Sequence, residues 1–161
     1  MKIAYAFAAL ALCGSAAAIA RPHGSAFLTK AMEGDNSETM LGTIAARRGA
    51  SPGTRAFGAM LAADHSRAKV EVAALARRRG MTSTDRVAPE ASTERRKLAG
   101  LHGRAFDREF ARYMVDDHRK DIADFTAEAK SRDDGALTAL ARKTLPVLRK
   151  HLAHARSLAS R

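Results

Sequence analysis

The chain has 161 residues and a net charge of +11, from 28 Lys and Arg against 17 Asp and Glu. That length fits one domain able to bury a core unaided, and the single cysteine excludes a disulfide framework. The basic balance favours anionic partners such as lipid head groups, acidic polysaccharide or a protein. A nucleic-acid reader would place aromatics among its basic residues, whereas Phe27, Phe57, Phe106, Phe110 and Phe125 here fall on apolar stripes.

Residues 1–20 begin with Lys2, continue as an apolar run from Ile3 to Leu12, and end in small residues up to Ala18-Ile19-Ala20. This is the pattern of a secretory signal peptide cut after Ala20, too short to span a bilayer. Cys13 directly follows that run, so lipoprotein processing at Cys13 is the alternative, disfavoured by the bulky Leu12 before it; after a cut at Ala20 the remaining chain has no cysteine to oxidise. The expected product is one domain, residues 21–161, in the periplasm or secreted.

Ala, Leu, Arg and Lys dominate this domain, and its apolar positions recur with helical period. The first stripe is Phe27, Ala31, Gly34, Glu38, Leu41 and Ala45, stopping before Gly49. The second opens with Ser51 as cap and Pro52 in the first turn, then runs Phe57, Leu61, His65, Ala68, Val72 and Leu75 to Gly80. The runs Arg47-Arg48-Gly49 and Arg77-Arg78-Arg79-Gly80 sit at these two ends, cations against the negative end of the helix dipole.

The link from Met81 to Gly103 is polar and turn-like at first, with a short helix allowed in the Glu94–Gly103 stretch. Its length permits a crossing of the bundle or a local fold-back. The third stripe is Phe106, Phe110, Met114, His118, Ile122, Phe125 and Ala129. The fourth, after Asp133-Asp134, is Leu137, Ala141, Thr144, Leu148, His151, Ala155 and Leu158, with Pro146 inside it. Four amphipathic helices with short connections after the first and third make two helical hairpins, an all-α four-helix bundle.

Each stripe carries one ionisable residue near its middle: Glu38, His65, His118 and His151. Measured from the nearest short connection at about 1.5 Å per residue, they differ in height by a turn or so. Three imidazoles and a carboxylate meeting in a core form a ligand set for Zn, Cu, Fe or Ni. The structural alternative is four satisfied polar groups, each hydrogen-bonded to a neighbour. Asp64 and Asp117, each preceding a histidine, point about 100° away from it; the spacing suits pairs with Arg67 and Lys120, or a role in orienting another imidazole. Asp107 belongs to the start of the third helix, and His154 to a half-exposed position one turn after His151.

The phrases "SPGTRAFGAMLAADH", "LAGLHGRAFDREFARYMVDDH" and "TLPVLRKHLAHA", with a first-helix Glu and a signal segment, together resemble the bacterial domain-of-unknown-function family 4142. The resemblance implies a ferritin-like bundle in an exported protein. The Glu-x-x-His pairs of a di-iron carboxylate centre are missing, since Glu38 is the only Glu on a stripe. Nor does any Ser-His-Asp, Cys-His or phosphate-binding Gly-rich arrangement occur. The expected protein is therefore a non-enzymatic, exported helical protein binding a transition metal through Glu38, His65, His118 and His151. The alternative is an envelope module whose basic surface binds an anionic polymer, lipids or a protein.

Overall fold

Proline in the first turn or a side-chain cap marks where the rods at Pro52, Pro89 and Gly135 begin. A computed structural model describes residues 22–132 and 134–160. These form α1 (Pro22–Arg48), α2 (Pro52–Arg78), α3 (Pro89–Ala99), α4 (Gly103–Lys130) and α5 (Gly135–Ala159), with no strand among the described residues. The expected signal segment, its cleavage point, Cys13 and Asp133 lie outside them. No described helix is long and apolar enough to cross a membrane.

Ser51 caps α2 by accepting the Thr54 N–H at 3.0 Å, and Asp134 caps α5 by accepting from Ala136 at 2.9 Å and Leu137 at 3.2 Å. The arginine pairs fall in the last turns of α1 and α2, and Gly80 takes φ +71° just beyond α2. Pro146 sits within α5, which stays helical on both sides of it.

The α1–α2 hairpin is drawn tight by glycine. A Cβ on Gly58 would come within 2.6 Å of the Gly42 carbonyl and the Ala46 nitrogen, so the two backbones touch there. Asp107, near the start of α4, secures the same turn by accepting the N–H groups of Ala50 and Ser51, both at 2.8 Å. Burial pushes its carboxyl up, but these hydrogen bonds win and hold it below the ordinary range.

The described residues therefore form five helices, the four long rods expected and a short one, α3, in the link where the sequence allowed one. It starts at Pro89, ahead of the Glu94–Gly103 stretch, and ends against Gly100. The link before it is pinned to the middle of α1: buried Asn36 donates to the carbonyls of Thr84 at 2.9 Å and Arg86 at 2.8 Å, and Ser37 accepts the Ala88 N–H at 2.9 Å. Beyond it, Arg48 at the end of α1 donates to Ala99 and Leu101 and lies over the Phe106 ring. The connection thus crosses from the far end of the α1–α2 hairpin back to its turn, where α4 begins.

Two larger apolar clusters, and a small one of Ala129, Ala141 and Leu145 between α4 and α5, fill the interior. Around the α1–α2 turn, Leu41, Phe57, Leu61, Leu98, Phe106, Phe110 and Met114 pack together. Toward the other end, Leu28, Met32, Val72, Ala76 and Leu137 do the same. Along α1, α2 and α4 the polar residues Glu38, His65 and His118 fall between the two.

Glu94 on α3 is 5% exposed. It faces Glu109 of α4, whose carboxylate is held by Lys97 and Arg112. Burial, and then the Glu109 charge, push the Glu94 carboxyl up from 4.5 to about 7. Its neutral form favours the fold, so that contribution is full below pH 4.5 and is lost as pH rises through about 7. Between pH 5 and pH 8 the wild type should lose about 1–2 kcal/mol relative to Glu94→Gln, measured by denaturant unfolding at both pH values.

Candidate metal centre

His65 on α2, His118 on α4 and His151 on α5 are 4%, 0% and 0% exposed, and Glu38 on α1 is 1% exposed. One ring nitrogen of each histidine lies within 4.8 Å of the others. The ring centroids are 6.0 Å apart for His65–His118, 5.2 Å for His65–His151 and 5.3 Å for His118–His151. With metal–nitrogen bonds of about 2.0–2.1 Å and centroids roughly 1.2 Å further out, three imidazoles set tetrahedrally around one ion have centroids about 5.2 Å apart. The observed spacing is close to that figure.

The partners of each ring fix which nitrogen is bare. His118 Nδ1 donates to the Met114 carbonyl at 3.0 Å; a carbonyl can only accept, so in the neutral ring Nε2 carries the lone pair. His151 presents Nε2 to the Asp64 carboxylate at 2.9 Å, leaving Nδ1. His65 Nδ1 lies 2.9 Å from both Asp35 Oδ1 and Glu38 Oε2, leaving Nε2. These three remaining nitrogens, His65 Nε2, His118 Nε2 and His151 Nδ1, are all buried without a hydrogen-bond partner. Carboxylates and a backbone carbonyl behind metal-binding imidazoles are the usual means of fixing tautomer and ring orientation.

Electrostatics keeps the set together. Burial holds His118 below its ordinary pKa, and holds His151 down at about 4 despite the lift from Asp64. Burial also opposes charge on His65, but Glu38 and the hydrogen bonds to Asp35 and Glu38 raise it well above its ordinary value. Burial likewise works against the Glu38 carboxylate, yet the charge on His65 and the two other imidazoles hold it below the usual range. Glu38 Oε1 lies 3.1 Å from His118 Nε2, but neither atom makes a hydrogen bond. A proton on either atom, or a bound cation, relieves two acceptors set this close in a dry core.

All four residues read from the stripes thus lie in one layer, with a division among them. The three histidines form one group, while Glu38 groups with Asp35 and His65, and with Asp117 and His118. Asp35, buried at the position one turn before Glu38, was not singled out from sequence; its i, i+3 spacing from Glu38 was the available signal. Asp64 both pairs with Arg67 and orients His151 across the interface. Asp117 makes no ion pair with Lys120, contrary to the spacing; its carboxylate comes within 4.8 Å of the Glu38 and His118 ligand atoms instead. His154 stays exposed, donates to the Lys150 carbonyl at 3.0 Å and stacks on Phe57.

An all-helical protein with a buried imidazole cluster is therefore the class that fold and site define. Residues 11–158 match the domain-of-unknown-function family DUF4142, and the chain belongs to that family. No curated protein matches it. A crystal structure of a DUF305 fragment from Deinococcus radiodurans is similar, with a TM-score of 0.76 at 16% identity, covering 87% of this chain and 97% of that one. At that identity the likeness is one of fold.

If the imidazoles exist to receive an ion, they burden the metal-free fold. His118→Leu removes a buried bare nitrogen while keeping an apolar body of similar size, so in chelator the variant should match the wild type or exceed it by about 1 kcal/mol in denaturant unfolding. A loss of more than about 2 kcal/mol would mark His118 as structural.

Proposed function

We propose that this protein binds one divalent transition-metal ion in its core, for storage, sensing or tolerance, with His65, His118 and His151 as nitrogen ligands and Glu38 as the carboxylate beside them. The observation that carries this reading is the convergence of three buried imidazoles, one ring nitrogen of each within 4.8 Å of the others, each ring held from behind by a carboxylate or a carbonyl. Imidazole ligands suit Zn, Cu, Ni or Fe, and the paired Glu-x-x-His motifs of a di-iron carboxylate centre do not occur at these positions. Binding rather than turnover fits ligands this deeply enclosed, since a catalytic metal keeps a position open to substrate. The four long helices, with a long crossing connection after the second, support a ferritin-like reading of the bundle. The first twenty residues support export to the periplasm or the medium, where metal availability is not buffered by the cell.

Protein purified without an affinity tag should carry close to one equivalent of metal by elemental analysis. The His65→Ala, His118→Ala double variant, handled identically, should carry none. Equal metal content in the two contradicts the proposal.

A further inference from the structure

Two clefts reach His65 from the surface, and they differ in charge. The one between α2 and α5 is lined by Arg67, Lys143 and Lys150 against Asp64 and Glu71. Both acids there are already engaged, Asp64 by Arg67 and His151 and Glu71 by Lys143. The other cleft is walled by α1, α4 and α5 and lined by Asp35, Glu38, Asp121 and Asp124, with Lys30 near its mouth and His65 at its inner end as the basic groups. Lys30 and Asp124, both exposed to solvent, form an ion pair at its outer end, while Glu38 and His65 lie at its inner end.

Three further observations single out the second cleft. Glu38, which lines it and is 1% exposed, has its Oε1 atom without a hydrogen-bond partner. Asp121 makes no hydrogen bond or ion pair among the described residues, and burial with the nearby Glu38, Asp117 and Asp124 carboxylates pushes its carboxyl well above the ordinary range, as befits an acid crowded by acids and short of a cation. Gly34, read from the sequence as a core position, is half-buried in the wall of this cleft, and a Cβ there would meet nothing within 4 Å. A cleft in which acidic groups outnumber basic ones favours counter-ions, and this matters on a chain of net charge +11 that otherwise repels cations.

We propose that a divalent cation reaches the three imidazoles through the cleft beside α1, passing from Asp124 to Asp121 and Asp35 and then to Glu38, and that the Lys30–Asp124 ion pair must open to admit it. This rests on the metal-binding reading above and adds the route. The wall residue Gly34 keeps the passage wide, and the carboxylates replace part of the ion's water shell before the imidazoles do. The basic cleft beside α5 plays no part in loading.

Stopped-flow mixing of the metal-free protein with Co2+, followed by its visible absorption, tests the route. Asp121→Asn removes a carboxyl group that an arriving cation would ionise and bind, and Gly34→Leu narrows the passage while favouring the helix. Each should slow loading by about tenfold with the final stoichiometry unchanged, whereas Lys143→Gln at the other cleft should load at the wild-type rate. Loading of Gly34→Leu and Asp121→Asn at the wild-type rate overturns the route, as does an equal slowing by Lys143→Gln. Failure of the wild type to bind Co2+ at any time overturns the metal reading itself, a result distinct from a normal endpoint reached by another path.

Discussion

A bare imidazole nitrogen buried away from water costs free energy, and this bundle sets three of them facing one another. The second nitrogen of each ring is committed elsewhere: His65 to Asp35 and Glu38, His118 to the Met114 carbonyl, His151 to Asp64. The rings therefore cannot turn to satisfy one another, and the cost persists until a proton or a metal ion arrives. Neutral imidazoles at His118 and His151 follow from burial, and the one raised pKa, at His65, follows from the carboxylates behind it.

The fold supplies the rigidity that such an arrangement requires. Apolar clusters lie to both sides of the ionisable residues along α1, α2 and α4, and the backbones of α1 and α2 meet at Gly42 and Gly58. Asp107 fastens the start of α4 to the α1–α2 turn, which sets the height of His118 against that of His65. The crossing link, pinned by Asn36 and Ser37, completes that placement by bringing α4 to the turn end of the first hairpin.

Much of this was legible in the sequence because helices write their faces at a fixed period. The four long rods, the cap at Ser51, and the shared depth of Glu38, His65, His118 and His151 follow from residue type and spacing. The path of the 81–88 link was not legible, since it depends on Asn36 and Ser37 bonding to backbone about fifty residues away, which leaves no periodic trace. Asp64 shows why an acid precedes His65: about 100° further round α2 it meets α5 and holds His151. The matching acid on α4, Asp117, breaks the parallel because it faces Glu38, and a local pairing rule could not anticipate a neighbour on another helix. The separation of Glu38 from the three-histidine group likewise depends on side-chain direction, which spacing does not contain.

The convergence of the three imidazoles on one ion is tested most directly by X-ray absorption at the zinc edge of the zinc-loaded protein. The account predicts about three imidazole nitrogens at about 2.0–2.1 Å, with the outer-shell scattering typical of the ring, and the loss of roughly one of them in His151→Ala. A shell made of oxygens alone, or a spectrum unchanged by His151→Ala, would contradict it.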